Sequence, residues 1–391
     1  FRRTSSRRIC NLRSVPIRIG LRIIFMEDTF NLSLSKPHAR PGHPWVTLSE
    51  LSDNLPSEPS VATLRDPSGQ PLGSGLFDPG DSSRAWRRFS HAEGANFDGV
   101  YIASAINDAL GRRSDDHCQR LICGDADYLP GLEVELYDGI VTIASTHPLV
   151  DATMDEIVGC LKEACEPKEI VIHQNGVATT QSGQNFKARW IEVDGLAYHV
   201  DFLKTDKPRF FLDQREQHAL VGSLCEGRTV LDGYAHSGAF ALQAARAGAE
   251  HVVAVDTSEA CIKAIGAAAQ KNNCFVETIE ADITAFLRER SVGDLDAIVL
   301  DPPHTEAFDA AAVEAVHTSA FCCLPEGGLL ATYCRSSTTT ATAFEATVAS
   351  AAARAGREAR IFACTAQPFD FPVLLNLPES RYLKGLILQV E

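Results

Sequence analysis

The sequence has no apolar run long enough to cross a membrane. Spanning a bilayer takes ~18–20 consecutive apolar residues, and no segment approaches that length, which predicts no membrane partner. Collagen-like, coiled-coil and low-complexity patterns are also missing, and their absence excludes a fibrous protein. With 45% hydrophobic and 22% charged residues among 391, the composition is typical of a globular protein with roughly two or three domains.

The sequence also lacks a C-x-x-C pair, although it contains 12 cysteines. Cys322 and Cys323 are adjacent, and the others are scattered, mostly inside apolar runs. This spacing is typical neither of a zinc site nor of a disulfide framework. It indicates buried thiols in a reducing compartment and predicts no metal site.

Acidic residues are missing from the first 25 positions, which hold seven arginines. The rest of the chain is strongly acidic: residues 26–391 carry a net charge of −22, because 51 acidic residues oppose 29 basic ones. Such a body repels nucleic acid at long range, so any RNA binding requires a local basic patch.

Residues 1–35 are predicted to be a basic leader, with two alternative explanations. Their Arg- and Ser-rich start resembles a mitochondrial or chloroplast transit peptide, which predicts a mitochondrial or plastid protein. Alternatively, the true start is Met26, since the chain opens with Phe1 and Met26 is its first methionine. The second explanation predicts a cytoplasmic protein.

Short strand-like runs, broken by turn signals such as P-S-G-Q and D-P-G, fill residues 36–95 and predict a small β-barrel. Within it, residues 83–89 interleave arginines with aromatic residues. Guanidinium groups bind phosphates and aromatic rings stack on bases, which favours RNA binding. The candidate RNA contacts are Arg84, Trp86, Arg87 and Arg88. The alternative is a solvated strand with one buried tryptophan.

Residues 96–206 are predicted to form an α+β linking domain, because helical periodicity alternates with strand-like runs. Three dipeptides between such runs are typical of hairpin turns, namely Asp138-Gly139, Asn175-Gly176 and Asp194-Gly195. No catalytic constellation is evident in this region. Asp125 and Asp127 are interpreted as loop and capping residues.

Residues 207–391 alternate strand-like and helical segments. Five apolar runs, each followed by a helix-like segment, predict an α/β domain with a doubly wound, Rossmann-like parallel sheet buried on both faces. The last two runs, R-I-F-A-C-T and Y-L-K-G-L-I-L-Q-V, predict a closing antiparallel pair.

Ligands of doubly wound sheets bind beyond the carboxyl ends of the strands, and the unusual residues of this sequence lie there. The first strand leads into the turn 232–240, where Gly238 lets the backbone approach a ligand closely. Asp256 ends the second strand, where a carboxylate can accept hydrogen bonds from both ribose hydroxyls. Asp282 ends the third strand, where it can accept from an adenine amine. Capping of the following helix is the alternative for both aspartates.

The fourth and fifth strands end in residues suited to the reaction itself. The motif 301–304 (D-P-P-H) follows the fourth strand, and its two prolines impose a rigid extended exit that structure alone hardly explains. Cys334 ends the fifth strand beside Arg335, where a stabilised thiolate is a candidate nucleophile. The alternative is one more buried cysteine.

In this order, the motifs resemble those of class I S-adenosylmethionine-dependent methyltransferases. More narrowly, they resemble the bacterial large-subunit rRNA cytosine-5 methyltransferase family, which has an N-terminal PUA domain. The resemblance covers about residues 36–391. It also rests on G-H-P-W-V at 42–46, D-Y-L-P-G-L at 127–132, F-F-L-D-Q-R at 210–215, D-F-P at 370–372 and Y-L-K-G at 382–385. Of these, F-F-L-D-Q-R is the most specific.

The resemblance implies S-adenosylmethionine as cofactor and RNA, specifically rRNA, as partner; a homodimer is left open. Asp301 and Cys334 would be catalytic, the thiolate adding to cytosine C6 so that C5 can take the methyl group, once the base is unstacked. Pro302, Pro303 and His304 would face the base. The residues implied to bind the cofactor are Gln214, Arg215, Asp232, Gly233, Tyr234, Ser237, Gly238, Asp256, Thr257, Asp282 and Ile283.

One position separates this chain from the family pattern. The column of the family's nucleophile holds Arg335 here, and Cys334 falls one residue early, which on an extended strand is the opposite face. Two alternatives therefore stay open. One is a methyltransferase acting on an exocyclic base amine such as guanine N2, which needs no cysteine. The other is an RNA-binding or ribosome-assembly protein without catalysis.

Overall fold

The computed structural model describes residues 30–183, 186, 188–204, 210–303 and 308–391, which fall into two compact units. The first unit takes its residues from Phe1–Ala188, Asp201–Arg209 and Asp370–Leu377, and the second from Arg189–Val200, Phe210–Phe369 and Pro378–Glu391. The boundary predicted at residue 206 differs from this division. The prediction was made from changes in sequence pattern along the chain. Such changes cannot indicate that Asp370–Leu377, a segment near the carboxyl terminus, belongs to the first unit.

The described residues contain no helix that is both long and apolar enough to span a bilayer. Nor do they bring three or more His, Cys, Asp or Glu side chains together as a metal site would. No disulfide joins the cysteines of these residues, and most of those cysteines are buried.

The first unit begins with a five-stranded sheet. Its strands are β1 (Phe30–Ser33), β2 (Trp45–Val46), β3 (Ser60–Arg65), β4 (Pro71–Phe77) and β5 (Trp86–Ser90). They follow the order β1-β3-β4-β5-β2, with only the first pair parallel. Trp86 fills the centre and leaves room only for a glycine opposite, since a Cβ on Gly75 would lie 2.3 Å from the indole ring.

The linking part of the first unit packs helices on a second five-stranded sheet. Its strands are β6 (Cys118–Cys123), β7 (Leu132–Tyr137), β8 (Ile140–Ser145), β9 (Glu169–Gln174) and β10 (Val177–Thr180), and its helices are α1 (Gly99–Leu110), α2 (Pro148–Ala152) and α3 (Met154–Cys165). The predicted hairpin turns join β7 to β8 and β9 to β10. Both residues of each turn have left-handed φ angles, from +48° at Asp138 to +87° at Gly139, as type I′ turns require.

The second unit is built on a two-stranded ribbon and a seven-stranded sheet. Its strands are β11 (Arg189–Val193), β12 (Leu196–Val200), β13 (Thr229–Gly233), β14 (His251–Asp256), β15 (Glu277–Glu280), β16 (Ala297–Leu300), β17 (Leu329–Arg335), β18 (Ala359–Thr365) and β19 (Leu383–Val390). Its helices are α4 (Arg215–Ser223), α5 (Ala239–Arg246), α6 (Glu259–Lys271), α7 (Ile283–Arg288), α8 (Ala310–Cys323) and α9 (Ala341–Arg354). The large sheet has the order β15-β14-β13-β16-β17-β19-β18. Its first five strands are parallel, and β19 is antiparallel to both neighbours, which confirms the predicted doubly wound fold and its closing pair.

Alternation along these strands sends successive side chains to opposite faces of the sheet. Leu231, Leu300 and Cys334 belong to an apolar cluster with residues of α7, α8 and α9. Tyr333 points the other way, and its ring stacks on Phe240 of α5 with the centroids 5.2 Å apart. The face on which a strand residue lies therefore decides which helices it meets at the end of the strand.

Two of the candidate RNA contacts are inside the first unit, which corrects the sequence-based prediction. Trp86 is 1% exposed, and its Nε1 donates to the Ala62 carbonyl oxygen at 3.0 Å. Arg88 is also buried and donates through Nη2 to the Gly42 carbonyl oxygen at 2.9 Å. Successive side chains of β5 are buried on both faces of the sheet and are not available to RNA.

Arg87, a third candidate, forms an internal ion pair with Asp125. Its Nε donates to the carboxylate at 3.1 Å, its Nη2 makes a second bond, and both side chains are at most 9% exposed. Trp45 Nε1 donates to the same carboxylate at 2.8 Å. Asp125 therefore ties β5 to the linking domain. Of the four candidates only Arg84 is partly exposed, and it pairs with Asp81.

Replacing Arg87 with alanine would leave the Asp125 carboxylate buried without its cation, a change that costs about 3–5 kcal/mol. We expect Arg87→Ala to lower the urea midpoint of unfolding strongly. The matched control Arg84→Ala breaks a partly exposed pair and should cost less than about 1 kcal/mol. Circular dichroism measures both midpoints. An unchanged midpoint with weakened RNA affinity in Arg87→Ala would contradict the structural role.

A neutral histidine is buried between α8 and β17. His317 is fully buried, with Nδ1 2.6 Å from the Val313 carbonyl oxygen and Nε2 2.6 Å from the Thr332 hydroxyl oxygen. The carbonyl can only accept, so Nδ1 carries the proton and Nε2 accepts from the threonine. Burial lowers the pKa of His317 to about 4.

Acid should therefore destabilise the protein through His317. The unfolded chain takes up a proton near pH 6.5, whereas the folded state resists it until about pH 4. The contribution is thus fully present above the unfolded pKa and is lost as the pH falls, by about 2 kcal/mol between pH 7 and 5. His317→Gln should show a shallower pH dependence of its urea midpoint than the wild type. Identical slopes would exclude His317 as the titrating group.

Candidate active site

The turn after β13 is held in an unusual backbone conformation. Tyr234, His236 and Gly238 have φ angles of +62°, +48° and +71°. Left-handed φ at residues other than glycine costs about 1–3 kcal/mol and is concentrated at functional sites. Gly238 is required for packing as well, because a Cβ there would lie 2.9 Å from the Ile265 side chain of α6. This geometry supports a ligand-facing role for the turn.

Carboxylates from three strands converge beyond the ends of β13, β14 and β16. Asp232 is 1% exposed, and burial raises its pKa well above the usual value; the nearby charges of Asp301 and Asp256 raise it further. Asp256 accepts hydrogen bonds from the backbone N–H groups of His236 at 2.9 Å and Ser258 at 2.8 Å, so it also holds the turn in place. A positively charged ligand is complementary to this edge.

The residues around the position predicted for the cofactor's adenine lie together at the same end of the sheet. Ile283 is buried, and its side chain lies against Gly233, where a Cβ would approach it to 2.8 Å. Burial raises the pKa of Tyr234 to about 12, with a further contribution from Asp282. Asp282 itself caps α7 by accepting from Ala285 N–H at 2.8 Å. Asp282 therefore does cap α7, as the alternative interpretation held. Its second carboxylate oxygen remains for other contacts.

Ser237 and Thr257 occupy the turns after β13 and β14. Ser237 is partly buried and Thr257 is exposed. The N-cap of α6 is Ser258, whose hydroxyl accepts from Cys261 N–H at 3.4 Å, so Asp256 does not have the capping role considered for it.

The segment F-F-L-D-Q-R, residues 210–215, packs against the turn that follows β13. The ring of Phe211 lies 4.8 Å from that of His236. The ring of Phe210 lies 4.7 Å from Tyr198 of β12. Gln214 and Arg215, both predicted to bind the cofactor, are buried. The motif therefore joins the ribbon, the turn and α4 into one wall of the site.

Sequence reasoning missed the role of Arg335, which joins this wall to the end of β17. Its Nη1 donates to the Asp213 carboxylate, and its Nη2 donates to Gln214 Oε1 at 2.6 Å. The guanidinium carbon lies 3.8 Å from the centroid of the Phe211 ring. Tyr382 donates its hydroxyl proton to the same Asp213 carboxylate at 2.8 Å. The sequence did carry a signal for this role. Arg335 stands at the position where the resembled family has its nucleophile, and Asp213 and Tyr382 lie within motifs that the chain shares with that family.

Asp301 lies beside this arginine. Its Oδ1 is 4.0 Å from Arg335 Nε, and both side chains are at most 9% exposed. Burial raises the pKa of Asp301, although the Arg335 charge opposes the rise. Pro302 follows and is partly buried, and Pro303 is exposed. His304, predicted to face the base, lies outside the described residues.

Cys334 does not join this group. β17 pairs regularly with β19 as far as Arg335, so Cys334 and Arg335 lie on opposite faces. Cys334 is 6% exposed within the cluster of α7, α8 and α9, and burial raises the pKa of its thiol. The structure thus brings together Asp232, Asp301 and Arg335 on one face and leaves Cys334 on the other.

The site fits the predicted cofactor. S-adenosylmethionine carries a sulfonium and an α-ammonium group, and both charges are complementary to the converging carboxylates. Gln214 Nε2 is buried and has no partner at close hydrogen-bond distance in the described part of the chain, although the Gln214 side chain lies near enough to the Asp301 carboxyl to lower its pKa. Its Oε1 is occupied by Arg335, so the amide presents a donor that suits the carboxylate of the cofactor's methionine end.

Family models match two parts of the chain. Residues 35–87 match a PUA-like domain, and residues 215–362 match a family described as conserved hypothetical protein 95. Among curated relatives, ribosomal RNA large subunit methyltransferase I of Photobacterium profundum is 29% identical over 382 residues. That alignment covers 89% of this chain and 96% of the relative.

Two solved structures share the fold over most of the chain. One, from Streptococcus mutans, is described as a SAM-dependent methyltransferase; it is 19% identical and covers 92% of this chain and 100% of its own, with a TM-score of 0.83. The other is described as a methyltransferase in complex with SAH and is also 19% identical. It covers 92% of this chain and 99% of its own, with a TM-score of 0.81. The predicted fold class, a Rossmann-like methyltransferase domain preceded by a PUA-like domain, is confirmed.

Removing the Asp256 carboxylate should weaken cofactor binding. We expect Asp256→Ala to lower the affinity for S-adenosylhomocysteine by about 10- to 100-fold, as loss of charge-assisted hydrogen bonds does. Isothermal titration calorimetry measures the change. The matched control is Asp294→Ala, because Asp294 also accepts a backbone hydrogen bond, from Ser291 N–H at 2.8 Å, but lies before β16. Equal affinities in both variants would contradict the assignment.

Proposed function

We propose that this chain is an S-adenosylmethionine-dependent methyltransferase that modifies a base of large-subunit rRNA. The observation that carries the proposal is the convergence of Asp232, Asp256 and Asp301 at the carboxyl edge of the parallel sheet. Ligand sites of doubly wound sheets form at that edge. The acidic lining suits a cofactor with a sulfonium charge.

The relatives supply the substrate class. The curated relative from Photobacterium profundum is named for methylation of large-subunit ribosomal RNA and aligns with almost its entire length. The PUA-like match at 35–87 supports RNA as the partner. The surface that holds RNA must differ from the side chains of β5, since those are buried.

The chain's residues would divide the work as follows. Gln214 and the turn 232–240 would hold the methionine end of the cofactor, Asp256 the ribose and Asp282 the adenine. Bound there, S-adenosylmethionine supplies an electrophilic methyl group. Asp301 would orient the target base, which must be unstacked to reach the strand ends.

Cytosine-5 methylation through a Cys334 adduct is the finer form of this proposal, and the position of the cysteine weighs against it. The thiol would have to reach the face that Asp301 and Arg335 occupy. Cys334 instead packs in the opposite cluster, with Lys384 directly across on β19. A thiol with a pKa raised by burial is also a poor nucleophile at neutral pH. The proposal of rRNA methylation does not depend on this cysteine.

Methyl transfer to unmodified large-subunit rRNA tests the proposal. The full chain is incubated with S-adenosylmethionine labelled in its methyl group, with large-subunit and small-subunit rRNA in separate reactions. We expect label in large-subunit rRNA at stoichiometric levels, little in small-subunit rRNA, and at least a tenfold slower reaction with Asp256→Ala at limiting cofactor. Absence of label from large-subunit rRNA, with the cofactor shown to bind, would refute the proposed substrate.

A further inference from the structure

The motif D-Y-L-P-G-L of the first unit holds an aromatic residue in a strained backbone conformation. Tyr128 follows the short helical turn Gly124–Asp127 and has a φ of +58° and a ψ of +27°. Bulky side chains rarely adopt this left-handed region, and such strain is concentrated at functional sites. A glycine would form the same turn without strain, so the tyrosine side chain itself calls for a role.

The surrounding structure fixes the backbone at this tyrosine. The Tyr128 N–H donates to the Asp125 carbonyl oxygen at 3.2 Å. The hydroxyl of Tyr101, on α1, lies 2.8 Å from the Tyr128 carbonyl oxygen and 2.7 Å from that of Phe89. These contacts tie the turn to α1 and to the end of β5, so the direction in which the Tyr128 side chain leaves the backbone is set before any ligand binds.

The ring of Tyr128 and the ring of His91 form a corner at the surface of the first unit. Tyr128 is 38% exposed and His91 is exposed as well. The ring centroids lie 6.3 Å apart, and the ring planes are inclined at 64°. A planar group stacked on Tyr128 would therefore present its edge towards the imidazole. Partial desolvation and the Arg88 charge lower the pKa of His91, so the imidazole is neutral at pH 7 and can both donate and accept a hydrogen bond.

A positive charge that no carboxylate neutralises lies beside this corner. A Cβ on Gly73 would lie 3.1 Å from Arg88 Cδ and 3.2 Å from His91 Cα, so the arginine side chain runs next to His91. Within the part of the chain that the structure describes, Arg88 Nε is buried without a hydrogen-bond partner and no acidic group acts on the guanidinium. Arg88 itself is too deeply buried to touch RNA, but its charge favours an anionic partner at the corner.

This combination of groups suits an unpaired nucleotide. Proteins that bind unpaired RNA stack its bases on aromatic side chains and form hydrogen bonds with the exposed edges of the bases. The neutral corner offers the stacking ring and the hydrogen-bonding group, and the buried cation attracts the phosphate. A base within a duplex is stacked on both of its faces and cannot reach the ring. The PUA-like match at residues 35–87 of the same unit also supports RNA as the partner.

We infer that the corner formed by Tyr128 and His91 binds an unpaired base of the substrate RNA. Tyr128 stacks on the base, and His91 forms a hydrogen bond with its edge. The inference rests on the proposed function and deepens it, because it names a surface of the first unit that holds the RNA in place of the buried side chains of β5.

Filter binding of large-subunit rRNA measures the contribution of the ring. We expect Tyr128→Ala to weaken binding by about 5- to 150-fold, as the loss of one base stack does, whereas Tyr128→Phe should stay within about twofold of the wild type. The slope of log affinity against log salt should not change, because stacking neutralises no phosphate. Calorimetry with S-adenosylhomocysteine should give the wild-type cofactor affinity for both variants.

Replacing the tyrosine with glycine separates an RNA contact from a merely structural role. Tyr128→Gly relieves the strained φ, which offsets the lost ring contacts. We therefore expect a urea midpoint at least as high as that of the wild type, together with the weakened rRNA binding of Tyr128→Ala. A structural role predicts the reverse, a lower midpoint with unchanged rRNA affinity. The matched control is Asn175→Gly, at a φ of +49° in the turn between β9 and β10, which should leave rRNA affinity unchanged.

Competition distinguishes an unpaired base from a duplex. We expect single-stranded poly(U) to displace large-subunit rRNA from the wild-type chain at lower concentration than a poly(A)·poly(U) duplex does, and we expect this preference to shrink in Tyr128→Ala. Equal competition by the duplex, or wild-type rRNA affinity in both Tyr128→Ala and Tyr128→Gly, would overturn the inference and leave rRNA methylation standing. Failure of the wild-type chain to bind large-subunit rRNA at all, with the cofactor bound, would refute the proposed function as well.

Discussion

The active site depends on one buried interaction, in which Arg335 at the end of β17 is clamped by Asp213 and Gln214. The two partners come from a segment more than a hundred residues earlier in the chain. Charge-assisted bonds with fixed fork geometry hold both elements in one arrangement. Tyr382 adds a third segment by bonding to the same Asp213 carboxylate. Without this clamp, the wall that faces the turn after β13 would have no fixed position.

The alternation of side chains along the sheet then determines which groups can react together. Asp232, Asp301, Tyr333 and Arg335 share one face with α4 and α5, while Cys334 shares the other with α7, α8 and α9. A shift of one residue along β17 would exchange these environments. The chemistry of the site is thus set by register: a carboxylate and a guanidinium meet at the strand ends, and a thiol is kept in the core.

The first unit uses the same device, a buried arginine–carboxylate pair, for a different purpose. Arg87 and Asp125 join the amino-terminal sheet to the linking domain, and Trp45 completes the contact. An arginine-and-aromatic run predicts RNA binding when its side chains are assumed to be exposed. That assumption fails for β5, whose side chains are buried on both faces of the sheet. The pairing of Arg87 with a residue 38 positions away has no local sequence signal.

The sequence by itself determined the succession of elements, because hydrophobic periodicity and turn residues act over a few neighbours. The five parallel strands, the closing pair and the hairpin turns at Asp138-Gly139 and Asn175-Gly176 follow from such local patterns, and so does the order of the motifs. The position of Cys334 on the face opposite Arg335 already follows from the alternation of side chains along a strand. Tertiary structure alone decided that Arg335 is clamped and that β5 is buried. These outcomes depend on contacts between segments far apart in the chain, and no local pattern encodes a distance in space.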